Sequence, residues 1–299
     1  MNYKKLIPSQ SLRLKILKLL DFIPDKIMIY IQYYISTGRW LGLSKPERFT
    51  EKIQWYKLYY RDKLFTKCAD KYLVREYIES KGLEKILVPL YGVYDNADDI
   101  DFGSLPESFV LKTTNGSHTN ILCKDKNKLN IYKAKEQLNK WLNQWAGKVG
   151  REWAYYNIKP MIVCEKFLDK DSLNDLDDYK FFCFNGEAFC LYVVIDRTAS
   201  DGIKLGIYDM EFNKLEYRRS DIKPITKDIK KPKNFDEMVK MAKILSKDFP
   251  HVRVDFYNIK GKIYFGELTF YDGSGYKGYI DDRFDYILGN KFNLPKVML

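Results

Sequence analysis

One stretch near the C-terminus, RVDFYNIKGKIYFGELTFYDGSG, constrains the fold of this chain more than any other. The runs RVDFY and KIYFGELTFY alternate as half-buried strands do, and NIKG between them is typical of a turn. Period two puts Arg253 and Asp255 on one face of the first strand, and Phe265, Glu267 and Thr269 on one face of the second. In an antiparallel hairpin that turns near NIKG, we expect Asp255 and Glu267 to be cross-strand neighbours.

Two carboxylates that face each other across a hairpin repel unless a positive charge lies between them. A divalent cation with oxygen ligands, such as Mg²⁺, would supply that charge, and Mg²⁺ commonly takes substrate phosphates as further ligands. Two other interpretations stay open from spacing alone. One is a solvated acidic edge, and the other is neutralisation of one acid by Arg253.

The composition is that of a soluble globular protein, with 299 residues, 45% of them hydrophobic and 30% charged. That length predicts one to three domains. The net charge of +11 favours anionic partners, such as nucleotides, nucleic acid, acidic glycans or an anionic membrane surface, or it serves only solubility. Because the lysines are scattered rather than gathered in a basic arm, we predict no nucleic-acid partner.

The cysteines and the N-terminal sequence both point to a cytoplasmic protein. The five cysteines include no CxxC motif and stand mostly among apolar neighbours, which indicates reduced core thiols. The N-terminal sequence lacks the apolar segment of a signal peptide, and the uncharged run IMIYIQYYISTG is too short to cross a membrane.

The order of secondary structure predicts an α+β fold, with helices first and strands mixed with helices afterwards. Residues 10–36 alternate Leu and Ile with Lys and Asp, which predicts two amphipathic helices broken at Pro24. Packing against the protein body explains such helices, but the mixture of Lys, Tyr and Leu also suits a membrane surface. Thr50 reads as the N-cap of the next helix. Strands begin at about residue 108, and residues 198–232 read as loop-rich.

The segment FVLKTTNGSH reads as a strand that ends in a glycine-bearing turn. A lysine as a point charge and the backbone N–H groups of such a turn together suit a polyphosphate. Lys112, Thr114, Gly116 and Ser117 therefore form a candidate phosphate cradle. His118 lies in the same turn, where it contacts phosphate or is an ordinary loop histidine.

A second lysine, Lys180, shares a strand face with Asp178 in the segment DYKFFCFNGE. A buried lysine needs an anion, so Lys180 faces a phosphate if its strand is buried, or solvent if its strand lies at an edge. The sequence contains no GxSxG, HExxH, GxGxxG or GxxxxGK[ST] motif. The absence of the last two argues against a dinucleotide-dependent oxidoreductase and a P-loop kinase.

Taken in chain order, VLKTTNGSH, VCEKFL, DYKFFCFNGE, VIDR and RVDFY…GKIYFGELTFYDGSG resemble the ATP-grasp superfamily, and within it the TupA-like branch of teichuronopeptide biosynthesis. The front-half segments PERFTEKIQWYKLYYRD and ADKYLVREYI are similar to that branch as well, so the resemblance covers roughly residues 40–290. It implies an ATP-grasp fold of the α+β class, in which two α+β lobes enclose ATP behind an N-terminal helical extension. We accordingly predict a helical region at 1–62, an α/β part at 63–107, a first lobe at 108–168, and a second lobe with the metal site at 169–299.

The resemblance also implies roles for individual residues. Lys112 looks like the lysine that contacts the ATP phosphates, and Asp178 and Lys180 resemble contacts to ribose or phosphate. Arg253 resembles the arginine that stabilises the acylphosphate, and Arg197 resembles a basic residue that faces the acyl group. The segment that holds adenine between the lobes is Glu165, Lys166, Phe167 and Leu168. The implied Mg²⁺ ligands are Asp255, Glu267 and Thr269.

One position departs from the family pattern. Many members have Glu-x-Asn at the metal strand, whereas this chain has Glu267, Leu268 and Thr269. A threonine offers a single oxygen and no amide, so we expect weaker binding of a second Mg²⁺ there, or water in that place. Asp272 follows in the loop YDGSG, where it would repel or orient a charged co-substrate.

For function, the resemblance implies an enzyme that uses ATP and Mg²⁺ as an ATP-dependent carboxylate–amine ligase. A carboxylate attacks the γ-phosphate of ATP, an acylphosphate forms, and an amine displaces phosphate to leave an amide. The TupA-like branch suggests a uronic acid or an amino acid as substrate, in capsular or cell-surface polysaccharide biosynthesis. The alternatives are a metal-dependent glycosyl- or phosphotransferase, and a nucleotide-binding scaffold that touches a membrane through residues 10–36.

Overall fold

The structure, a computed structural model, describes residues 9–116, 119–144, 149–169, 176–196 and 202–297. The helices in those ranges are α1 Gln10–Leu19, α2 Asp25–Thr37, α3 Phe49–Tyr59, α4 Lys63–Ala69, α5 Val74–Ser80, α6 Ile131–Leu142, α7 Phe235–Ser246 and α8 Arg283–Lys291. The strands are β1 Leu90–Tyr94, β2 Phe109–Thr113, β3 Asn120–Cys123, β4 Ile162–Lys166, β5 Asp178–Phe184, β6 Glu187–Ile195, β7 Lys204–Tyr208, β8 Lys223–Pro224, β9 His251–Ile259 and β10 Lys262–Thr269. The predicted α+β class is confirmed.

The two N-terminal helices form as predicted on either side of Pro24. Helix α1 begins after Ser9, whose side chain accepts a hydrogen bond from a first-turn backbone N–H. Helix α2 ends at Gly38, which adopts the left-handed conformation that favours glycine. Among the described helices, none is both long and apolar enough to cross a membrane.

Thr50 is not the N-cap of the next helix, because α3 begins at Phe49 and its N-cap residue is Arg48. Thr50 instead lies in the first helical turn and binds the last helix of the chain. Its backbone N–H and its hydroxyl donate to the two carboxylate oxygens of Asp285, at 2.9 and 2.7 Å. Because the partner comes from far along the chain, a local capping pattern could not reveal it.

The first sheet has the strand order β1-β4-β2-β3, and all its pairs are antiparallel. The predicted hairpin around the glycine-bearing turn is confirmed as β2 and β3. Strand β4 lies between β1 and β2, so both Lys112 on β2 and Glu165 on β4 belong to central strands. The apolar side chains under this sheet pack against one another and include Phe102, Phe109 and Leu138.

The second sheet has the order β10-β9-β5-β6-β7-β8 and carries the larger apolar core. Strand β5 is central, because it pairs with β6 on one side and β9 on the other. The prediction of a loop-rich stretch at 198–232 is wrong in part, since β7 and β8 lie inside it. Strand β7, KLGIY, is too short and too mixed to stand out alone, and it forms because β6 offers it a partner edge.

His251 is buried in an aromatic cluster and predicts a pH effect on stability. Its Nδ1 donates to the carbonyl of Cys183 at 2.9 Å, and its Nε2 has no partner among the described residues. Burial lowers the pKa of His251 from 6.5 to about 4. Its contribution to stability is therefore full above pH 6.5 and is lost as pH falls through 4, because the unfolded chain takes up a proton that the folded chain refuses.

The unfolding free energy is expected to fall between pH 7 and pH 4 in both the parent protein and the variant His251→Phe. We expect the fall to be about 3 kcal/mol larger in the parent, because only the parent carries the buried imidazole. Phenylalanine suits the site because the ring of His251 already contacts Phe49, Phe184 and Phe292. Urea unfolding at three pH values gives the two curves. If they run parallel, the buried neutral imidazole is not the cause of the acid sensitivity.

Candidate active site

The predicted cross-strand pair of carboxylates is confirmed, and a bulge in β10 creates it. Asp255 on β9 lies opposite Glu267 on β10, but the register shifts by one residue between Phe265 and Glu267. Without this bulge at Gly266, Glu267 would lie on the opposite face from Asp255. The prediction that Phe265 shares the face of Glu267 is wrong for the same reason, because Phe265 pairs with Phe256 instead.

Gly266 permits this geometry because it has no side chain. A Cβ at position 266 would lie 3.0 Å from the carbonyl oxygen of Asp255 and 3.4 Å from its Cβ. The close approach brings the two strands together where the carboxylates emerge. The bulge residue was missed from the sequence, although a glycine inside a strand is the signal that indicates one.

Arg253 lies between the carboxylates and contacts both of them. Its Nε and Nη2 each donate to one oxygen of Asp255 at 2.7 Å, and Nη2 also donates to Glu267 at 3.1 Å. The hydroxyl of Thr269 accepts from the same Nη2 at 3.1 Å. Nη1 donates to Asp272. Of the interpretations left open by the sequence, neutralisation by Arg253 is therefore the one that the structure contains, and Arg253 contacts both acids rather than one.

Lys180 on β5 extends this row of charges across a third strand. It lies opposite Asp255 in the strand pairing, donates to the Asp255 carboxylate, and lies 3.6 Å from Asp178. Burial alone would raise the pKa of Asp255, but the charges of Arg253 and Lys180 outweigh it and hold that pKa below its ordinary value. Asp255 is only 2% exposed, so it is an ionised carboxylate held inside the protein.

Lys112 and Glu165 form the corresponding pair on the first sheet. The Lys112 Nζ lies 2.7 Å from Glu165 Oε2, and Arg75 approaches the other carboxylate oxygen at 3.6 Å. Lys71, in the turn between α4 and α5, donates to the carbonyls of Thr113 at 2.9 Å and of Gly116. Lys71 was missed because nothing in its local sequence distinguishes it from the scattered surface lysines.

A small cavity joins the two sheets at this point. Lys112 and Glu165 line it from the first sheet, and Phe265 and Gly266 line it from β10. Lys71 also lines the cavity, and burial lowers its pKa to about 8. The negative charge of Glu267 opposes this lowering, and the positive charge of Lys112 adds to it. Glu267 follows the cavity-lining Gly266 on β10, and Arg253 contacts both Glu267 and Asp255, so the acidic cluster of the second sheet adjoins the cavity that Lys71 and Lys112 line.

The sequence around this site matches a known protein family. The model of the family described as TupA-like ATPgrasp matches residues 51–293. The chain belongs to the TupA-like ATP-grasp family. The resemblance inferred from the sequence is thereby confirmed, and the prediction of an ATP-grasp ligase is confirmed at the level of the family. No curated protein matches the chain.

Solved structures similar to this TupA-like protein include several ligases. The D-alanine–D-alanine ligase of Bacillus anthracis complexed with ATP is 16% identical, with a TM-score of 0.43 over 68% of this chain and 55% of that one. The L-amino acid ligase of Bacillus licheniformis is 15% identical, with a TM-score of 0.43 over 70% and 44%. The N5-carboxyaminoimidazole ribonucleotide synthetase of Thermus thermophilus is 13% identical, with a TM-score of 0.38 over 74% and 51%. The chain spans about half the length of these structures, and such distant likenesses carry no argument about substrates.

The structure describes some of the remaining predicted nucleotide contacts and leaves others outside the described residues. Lys166 is exposed at the end of β4, and its backbone N–H donates to the Pro89 carbonyl. Phe167 and Leu168 are half-buried just beyond it. Thr114 is buried, and its hydroxyl donates to the Lys159 carbonyl at 2.8 Å. Ser117, His118 and Arg197 lie outside the described residues. The roles given to all these residues stay predictions.

The loop after β10 is held from below by a buried charged cluster that the sequence did not reveal. Lys57 donates to the carbonyls of Ser274 at 2.6 Å and Gly150 at 2.9 Å, and burial lowers its pKa to about 7. The Ser274 hydroxyl donates to Glu152. Asp272, which begins this loop, is turned inward toward Arg253, so it orients that arginine in the structure as it stands.

Proposed function

We propose that the TupA-like protein is an ATP-dependent carboxylate–amine ligase that forms an amide through an acylphosphate. The observation that carries the proposal is the cleft itself. Lys112 from the first sheet and Gly266 from the second line one cavity, and Glu267, the residue after Gly266, shares the guanidinium of Arg253 with Asp255. Cations on one side, and on the other paired acids that can hold Mg²⁺, suit an anionic nucleotide between the two sheets.

The chemistry requires two anions to meet. An oxygen of the substrate carboxylate bonds to the γ-phosphorus of ATP, the bond from that phosphorus to the β-phosphate oxygen breaks, and ADP leaves. The amine nitrogen then bonds to the acyl carbon, phosphate departs with its oxygen, and the nitrogen loses a proton. Lys112 would offset the phosphate charge, and Arg253, already positioned by Asp255 and Asp272, would offset the charge on the acylphosphate.

The donor set fits magnesium. Asp255, Glu267 and Thr269 present oxygen ligands on neighbouring strands, and Mg²⁺ is commonly bound by one or two carboxylates together with phosphates and water. Within the described ranges no cluster of three or more His, Cys, Asp or Glu side chains is placed to hold a metal. Bound to Asp255 and Glu267, Mg²⁺ would neutralise the terminal phosphates.

The substrate proposal is more specific than the family. We propose a uronic acid or a similar carboxylate, joined to an amino acid or another amine, in capsular or cell-surface polysaccharide biosynthesis. The net charge of +11 supports an acidic acceptor. We place the reaction in the cytoplasm, which the five free, buried cysteines support. We also propose a peripheral membrane contact through residues 10–36.

A nucleotide comparison separates the ligase from the sugar-nucleotide transferase. We expect ATP with Mg²⁺ to raise the melting temperature by about 2 to 4 °C for each kcal/mol that ligand binding adds to the unfolding free energy, and UDP-sugars with Mg²⁺ or Mn²⁺ to leave it unchanged. Removal of Mg²⁺ with a chelator reverses most of the ATP effect. Uronic and amino acids are then screened in pairs for phosphate release. Stabilisation by UDP-sugars alone would favour the transferase and refute the ligase.

A further inference from the structure

The outer face of helix α2 is an apolar surface that the protein itself does not cover. One side of the helix packs inward through Met28, Ile29 and Tyr33. The other side exposes residues spaced three and four apart, so that they form one continuous stripe. With the tryptophan that follows the helix, we call this the α2 surface, and it consists of Ile27, Ile31, Tyr34, Ile35 and Trp40.

Aromatic side chains mark the end and the beginning of the stripe. Trp40 is 79% exposed and stacks on Tyr34, with ring centroids 4.6 Å apart. Phe22, just before α2, is 81% exposed. Two large aromatic rings with about four-fifths of their surface exposed, so close together, are unusual on a face in contact with water, and they are typical of helices that lie at a membrane interface.

The charges around the α2 surface are sorted by sign. Residues 9–40 contain only two acids, Asp21 and Asp25. Their carboxylates lie 3.7 and 3.0 Å from the buried guanidinium of Arg151, which neutralises part of their negative charge. The lysines of the same segment, Lys15, Lys18 and Lys26, are exposed. The outward charge of this region is therefore positive.

We propose that the α2 surface docks the protein onto an anionic phospholipid bilayer, with α2 lying parallel to the membrane. Its apolar stripe would enter the headgroup region, and Lys15, Lys18 and Lys26 would contact acidic headgroups. Thirteen residues span only about 20 Å, and the opposite side of the helix is packed on the protein, so the helix lies on the membrane rather than across it. The same positive charge disfavours a second copy of the chain as the occupant.

This surface precedes residue 51, where the match to the family begins. The inference deepens the peripheral contact proposed above, and it is independent of the ligase chemistry. A lipid-binding defect and a catalytic defect can therefore be separated by measuring both in the same variants.

Cosedimentation with vesicles of phosphatidylglycerol and phosphatidylcholine, compared with phosphatidylcholine alone, tests the proposal. We expect the full chain to bind the anionic vesicles at low salt and to bind at least about 10-fold less at 0.5 M salt. Ile31→Glu is expected to weaken binding at least about 10-fold, since it places a negative charge within the stripe. The matched control is Ile244→Glu, because Ile31 and Ile244 are both helical isoleucines, 43% and 42% exposed.

A second variant, in which Lys15, Lys18 and Lys26 are all changed to alanine, removes the charge and keeps the stripe. It is expected to lose the preference for anionic vesicles, while ATP-dependent phosphate release in solution is unchanged. Failure of the parent to bind anionic vesicles would overturn the proposal, and so would equal losses in Ile31→Glu and Ile244→Glu. Sedimentation velocity provides a further check, because a dimer abolished by Ile31→Glu would make the α2 surface a contact between copies.

Discussion

Asp255→Asn is expected to reduce ATP-dependent ADP release by about 100- to 1,000-fold while the protein stays folded. The Asp255 carboxylate is 2% exposed and already accepts hydrogen bonds from Arg253 and Lys180, so it is ionised and oriented toward cations. Asparagine keeps the shape and one acceptor oxygen but removes the negative charge. It can neither hold Mg²⁺ as a carboxylate does nor fix Arg253 by two charged contacts.

The expected loss must be separated from a loss of stability. Arg253 is buried, and the substitution removes one of its partners, but Glu267 and Asp272 remain in contact with it. We therefore expect a lower melting temperature and an unchanged circular dichroism spectrum at the assay temperature. Asp236→Asn is the control, because that acid pairs with Lys231 at an exposed position on α7. Turnover by Asp255→Asn at the parent rate would refute the site.

Lys112→Ala is expected to lower kcat/KM for ATP by at least about 100-fold. The Lys112 ammonium lies on a central strand of the first sheet and lines the cavity shared with β10. The ammonium is paired with the Glu165 carboxylate at 2.7 Å, and Arg75 lies 3.6 Å from the other oxygen of that carboxylate. This pairing holds the ammonium in place before any nucleotide binds. Alanine removes the only formal charge that β2 contributes to the cleft.

The matched control is Lys159→Ala. Lys159 pairs with Asp95 at the same distance, 2.7 Å, but both side chains are largely exposed. An exposed pair contributes little to stability, so neither activity nor melting temperature is expected to change much. If both lysine variants lose activity equally, general charge attraction rather than Lys112 in the cleft explains nucleotide binding. If Lys112→Ala keeps the parent kcat/KM, the role given to it is wrong.

Local periodicity allowed much of the site to be predicted from the sequence. Alternation in RVDFY and KIYFGELTFY led to the prediction that Asp255 faces Glu267, and the structure forms that pair, but only because the register shifts at Gly266. The same reasoning put Phe265 on the wrong face, since one bulge at Gly266 reverses the alternation on either side of it. A single glycine thus decides whether Glu267 belongs to the site.

Contacts between distant segments could not be predicted in the same way. Lys71 reaches the carbonyls of Thr113 and Gly116 from the turn between α4 and α5, and Lys57 reaches Ser274 from α3. Each is one lysine among many in a basic chain, and only the packing of the lobes distinguishes it. The short strands β7 and β8 were missed because their partners, rather than their own sequence, stabilise them.

A crystal structure with Mn²⁺ and a non-hydrolysable ATP analogue tests the central claim most directly, because manganese can be located by its anomalous signal. We predict a manganese peak bonded to oxygens of Asp255 and Glu267, with the terminal phosphate beside Lys112 in the cleft between the two sheets. The pairing of Arg253 with Glu267 at 3.1 Å is then expected to give way to the ion. A nucleotide bound away from this cleft, or bound there with no metal at either carboxylate, would contradict the account.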